Sequence, residues 1–161
     1  MKRIILVLSM IFFLGCSQLS AVYDPEISHT LIEEGLLDLL TEQEKVDGLK
    51  GKASEAIFID NPTHGRVGDG LQAILGGRGN KKMVENISAL IQAHPEKIYI
   101  SRNSTVLIKA IQELGKTAEG KEALKKSRFL FIDSFLFNNK EEIETLSRQY
   151  GFHYACPQVK K

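Results

Sequence analysis

Cysteine is scarce in this 161-residue chain, with only Cys16 and Cys156. Two thiols permit one disulfide at most, so the fold is not a disulfide scaffold. An excess of charge is missing too. The 21 basic residues face 20 acidic ones, which leaves no electrostatic footprint for nucleic acid. The local basic run Lys121, Lys125, Lys126 and Arg128 reads as a solvated helix face. There is no low-complexity tract and no internal repeat. Beyond the first 15 residues no apolar run approaches the roughly 20 residues that a membrane-spanning helix requires.

Reaction motifs are equally thin. His29, His64, His94 and His153 are scattered, and none falls in a G-x-S-x-G or H-E-x-x-H context. His153 and Cys156 are spaced as two metal ligands, but zinc takes three or four protein ligands and no others can be named. Gly65, Gly68 and Gly70 run G-x-x-G-x-G, the reverse of the dinucleotide fingerprint. Gly115-Lys116-Thr117 resembles the end of a phosphate-binding loop. Position 110, however, is alanine, and a helical segment precedes it where a strand is required. No cofactor and no metal are expected.

The strongest positive signal is at the start. Lys2 and Arg3 precede eleven mostly apolar residues, Ile4 to Leu14, followed by Gly15, Cys16 and Ser17. A positive n-region, an apolar h-region and a small residue before the cut make a secretory signal. Read as a helix, eleven apolar residues rise roughly 17 Å, too little for a hydrocarbon core of about 30 Å. Length therefore disfavours an uncleaved anchor.

Leu14-Gly15-Cys16-Ser17 resembles the lipobox of bacterial lipoproteins. Phe13 and Leu14 differ from that family's preference for Leu three residues before the cysteine and a small or medium residue two before. Gly15 and Cys16 hold the two most restrictive positions. The resemblance implies cleavage before Cys16, a diacylglyceryl group on its thiol and an acyl chain, palmitate for example, on the new amine. Each buried methylene contributes about 0.8 kcal/mol, so several acyl chains hold a protein firmly. In the family, Asp after the cysteine retains the protein at the inner membrane. Ser17 in that place directs the expectation to the cell outer membrane, on its periplasmic face. The expected organisation is a signal peptide over 1–15, a lipidated tether over 16–24 and one domain over 25–161. Lipidation of Cys16 leaves no second cysteine in the chain for a disulfide with Cys156, and its neighbours Phe152, Tyr154 and Ala155 favour burial.

The domain has ordinary globular composition, 43% hydrophobic and 25% charged, and enough length for a real core. With Lys2 and Arg3 removed, 19 basic residues face 20 acidic ones, a formal charge of −1. Ile27, Leu31, Ile32, Leu36, Leu39 and Leu40 recur at helical spacing and predict a helix from Pro25 to about Lys45, with Gly35 weakening its middle. Ala56-Ile57-Phe58-Ile59, Ile98-Tyr99-Ile100, Phe129-Leu130-Phe131-Ile132 and His153 to Cys156 read as short strands. Helical patterns separate them: a short one within 65–75, then Met83 to Ile91, Val106 to Leu114 capped by Gly115, Ala118 to Lys126, and Ile143 to Tyr150 stopped by Gly151. Unbroken apolar strands alternating with helices indicate a parallel sheet covered on both faces. The expected fold is therefore a small three-layer α/β domain of about four mainly parallel strands, preceded by an N-terminal helix.

In open parallel sheets ligands bind beyond the carboxyl ends of the strands. Asp60, His64, Arg102 and Asp133 follow the first three strands and form the weak candidate set for acid/base work or ligand binding. The simpler reading of Asp60 and Asp133 is turn and helix capping. Two function classes follow. One is an envelope lipoprotein, held to the membrane through lipid on Cys16, whose domain binds an envelope protein partner or stabilises an assembly without being an enzyme. The other is a small periplasmic hydrolase or ligand-binding domain using the strand-end residues. Export without lipid is a third possibility, in which membrane association disappears.

Overall fold

The computed structural model describes residues 25–49, 55–59, 81–102, 104–132 and 139–157. Two helices lead, α1 (Pro25–Leu39) and α2 (Glu42–Leu49), followed by β1 (Ala56–Ile59) and α3 (Lys81–Ala93). Then come β2 (Ile98–Ser101), α4 (Ser104–Leu114), α5 (Ala118–Lys126), β3 (Arg128–Phe131), α6 (Lys140–Tyr150) and β4 (His153–Ala155). The protein is an α/β domain built on a four-stranded sheet, preceded by a helix, as its alternation of apolar strands and amphipathic helices predicts. The short helix expected within 65–75 lies outside the described residues, as do the signal and tether.

The strands are all parallel and lie in sequence order, β1-β2-β3-β4. Each crossover therefore steps the same way across the sheet. Because such crossovers are right-handed, their helices all land on one face. The main core matches: α3, α4, α5 and α6 pack there on Ile59, Tyr99, Phe129 and Phe131. Phe129 is its centre, edge-on to Phe152 at 5.0 Å and beside Tyr99 at 5.9 Å. Singly wound crossovers leave the other face bare, and α1 covers it. Leu31 and Leu39 pack there with Ile98, Ile100, Leu130, Ile132 and Ala155. The second layer of helix is thus supplied by the segment before the first strand.

Coverage of that second face is incomplete. The helix α1 lies across β3 and β4. On β1, Phe58 shares the α1 side with Ala56 by strand alternation and stays 51% exposed.

The single helix predicted from Pro25 to Lys45 is in fact two, broken at Leu40-Thr41. The cause is a capping box. Thr41 Oγ1 accepts from the Glu44 backbone N–H at 3.2 Å, and the Glu44 carboxylate accepts from the Thr41 N–H at 2.9 Å. This reciprocal pair starts a new helix more favourably than it continues an old one. Gly35 also has a positive role: a Cβ there would lie 2.1 Å from Leu130 Cδ1. The missing side chain lets α1 press onto the sheet.

At the other helix ends the glycines divide. Gly151 closes α6 in the left-handed conformation at φ 79°, with its N–H donating to Ser147 O. Gly115 is not such a cap, because it lacks a positive φ. A Cβ there would lie 2.2 Å from the Tyr150 ring, so its smallness makes room for α6.

Candidate functional site

The amino-end edge of the sheet is built around Arg128, the first residue of β3. Its Nη1 and Nη2 donate to the two carboxylate oxygens of Glu44 at 2.7 and 2.9 Å. Nη1 also donates to Leu39 O at 3.3 Å and Nη2 to Glu96 O at 3.0 Å. The fork geometry is that of a bidentate guanidinium–carboxylate pair. Only 16% of the Arg128 side chain and 27% of Glu44 are exposed. The Arg128 hydrogen bonds, aided by those from Thr41 and opposed by burial, hold the Glu44 carboxyl at about 2, below its ordinary 4.5. Arg128 is thus no part of a solvated basic face, in contrast to the exposed Lys121, Lys125 and Lys126. It clamps the α1–α2 corner to the sheet.

Nearby, the buried Tyr99 hydroxyl donates to Leu90 O at 3.1 Å and His94 O at 2.8 Å, closing the end of α3. Burial, reinforced by the Glu96 charge, pushes this phenol up to about 12. Tyr99 therefore serves here as a neutral hydrogen-bond donor.

The carboxyl-end edge is where the sequence places its candidates. Ile59, Ser101 and Phe131 stand level in adjacent strands. Arg102, one residue beyond β2, is half-buried, and its Nε is buried with no hydrogen-bond partner. Beside it Ser104, at the start of α4, is buried and accepts from Asn139 Nδ2 at 2.5 Å. This bond ties the start of α4 to the residue that precedes α6. Asp60, His64 and Asp133 lie outside the described residues, as does Cys16, so of the four candidates only Arg102 is located.

The strand order removes one argument for a ligand crevice here. Such crevices form where the order of a doubly wound sheet reverses. The order 1-2-3-4 has no reversal among the described strands. Thr117, the last residue of the loop-like Gly115-Lys116-Thr117, instead caps α5, its Oγ1 accepting from Gly120 N at 3.0 Å. His153 is exposed and Cys156 half-buried against the main core, so the burial expected of Cys156 is partial. Among the described residues no three His, Cys, Asp or Glu side chains gather as metal ligands. No helix among them is long and apolar enough to cross a membrane.

Two features of consequence were missed from the sequence, the Thr41–Glu44 box and the Glu44–Arg128 clamp. The first had a readable signal in Thr41-Glu42-Gln43-Glu44. The second had none, because 84 residues separate its partners. No protein-family model, curated protein or solved structure matches the chain.

Proposed function

We propose that the protein is a bacterial lipoprotein of the cell envelope, anchored by lipid on Cys16 and acting through its α/β domain as a binding or assembly factor for another envelope protein. The observation that carries the reading is the order Lys2-Arg3, apolar run, Gly15, Cys16. The proposed site is the periplasmic face of the outer membrane, from Ser17. The accessory role draws support from the described domain. Two of its buried polar groups serve folding: Ser104 meets Asn139 and Tyr99 closes α3. Replacing Cys16 with Ser should abolish fatty-acid labelling and move the protein from membrane to soluble fractions. Unchanged labelling and fractionation would refute the anchor. In-cell crosslinking should then give one adduct of constant mass that disappears with the C16S variant.

A ligand-binding reading has one observation in its favour, the orphaned Arg102 Nε at the carboxyl-end edge. A buried guanidinium nitrogen without an acceptor is costly, and an anionic ligand would supply one. On this reading, phosphate or a carboxylate raises the thermal midpoint of the wild type and not of Arg102→Gln. Equal responses from the two proteins would remove it.

A further inference from the structure

We infer that, in the anchored protein, the carboxyl-end edge of the sheet faces the phospholipid headgroups and the Arg128 edge points away from the bilayer. The inference rests on lipidation of Cys16 as proposed above and on the direction of α1. At the end of that helix Leu39 O accepts from Arg128, the first residue of β3. One turn earlier Gly35 sits over Leu130, two residues along the same strand. Four helical residues rise about 6 Å and two strand residues about 6.6 Å, so the two steps match. The helix therefore runs antiparallel to β3. One more turn brings Leu31 level with Ile132, which shares its cluster at the carboxyl end. Pro25 begins the helix six residues before Leu31, about 9 Å further out along its axis.

The chain from Cys16 thus enters the domain at the carboxyl-end edge. Eight residues lie between Cys16 and Pro25, and the nine steps from one to the other span at most about 31 Å. Setting the Arg128 edge on the bilayer would require this chain to run back along the whole of α1, about 21 Å for its 15 residues. That consumes two-thirds of its reach in one direction and restricts its conformations accordingly. Setting the carboxyl-end edge on the bilayer requires no such return.

Charge disfavours the third arrangement, with the domain lying on its α1–α2 face. That pair of helices presents Glu33, Glu34, Asp38, Glu42 and Asp47 against Lys45 as its lone lysine or arginine among the described residues, a poor match to anionic lipid. Among the described residues the carboxyl-end edge is mixed. Lys81 and Lys82 begin α3 with no acidic residue in its first turn, while Lys140, Glu141 and Glu142 begin α6. Basic residues near an anionic lipid surface are attracted to it.

The test uses the full-length lipidated protein in vesicles of phosphatidylethanolamine and phosphatidylglycerol carrying a headgroup nitroxide quencher. Cys156→Ala provides the background. A fluorophore is placed at Lys81→Cys on the carboxyl-end edge, at Lys126→Cys beside the start of β3, or at Asp38→Cys on α1. All three positions are exposed, Lys81 to 92%. Quenching severalfold stronger at position 81 than at 126 and 38 is the expected result. Equal quenching at 81 and 38, or stronger quenching at 126, in a protein that floats with the vesicles overturns the orientation alone. A protein with an intact signal and Cys16 that does not float overturns the anchor, and the orientation with it.

Discussion

Arg128 and Glu44 show how one pair of side chains can hold two distant parts of the chain. Glu44 is used twice, as the acid of the Thr41 capping box and as the receptor of the Arg128 fork. Its carboxyl is held near 2 against 4.5 for the free group, so the linked stabilisation is complete above about pH 4.5. It is lost as the pH falls from there towards 2, because the unfolded chain binds the proton first. The shift sets a ceiling of about 3 kcal/mol, and residual solvent screening brings the expected value nearer 2 kcal/mol. Glu44→Gln should therefore lower stability at pH 7 by about 2 kcal/mol in urea denaturation. It should also flatten the decline between pH 4.5 and 2. An unaltered acid limb would mean that the pair carries no linked stability. Gly35 belongs to the same scale. Alanine raises helix propensity there by up to about 1 kcal/mol, but its methyl meets Leu130, which is fully buried between α1 and the sheet. Overpacking wins, and Gly35→Ala should lower stability by about 1 kcal/mol in thermal unfolding.

At the scale of elements, periodicity located nearly everything that packs. The pattern Met83, Val84, Ile87, Leu90 and Ile91 became α3, whose buried side is Val84, Ile87 and Ile91. Ala118 to Lys126 became α5 with the bounds read from sequence. Apolar spacing sees burial, and these elements owe their existence to burial. It does not see the hydrogen-bonded break at Thr41, since Leu36, Leu39 and Leu40 continue the apolar stripe right up to it. Thr41→Ala should cost about 1 kcal/mol, and Thr41→Ser should restore most of it, as expected for a capping oxygen. Equal losses in the two variants, read by chemical denaturation, would contradict the capping role. Gly115 was misread for a related reason. A glycine after a helical stripe looks like a left-handed cap, yet this one answers to the Tyr150 ring, a contact over 35 residues that local sequence does not encode.

For the molecule as a whole, fold class and layers were legible while strand order was not, because each crossover spacing is compatible with several orders. The observed order explains a feature the sequence left loose, the task of the N-terminal helix. With every described crossover helix on one face, α1 is the described element that covers the other, and its direction carries the incoming chain to the carboxyl-end edge. Of the candidate site, only Arg102 is placed, with Asp60, His64 and Asp133 outside the described residues. The chemistry legible at atomic level is therefore mostly that of folding, and the functional account depends on Cys16. Its most direct test is the intact mass of the N-terminal peptide from protein purified out of membranes. The account predicts a chain that begins at Cys16 and carries the mass of a diacylglyceryl group and an amide-linked acyl chain. A chain that begins at Met1, or an unmodified Cys16, would contradict it.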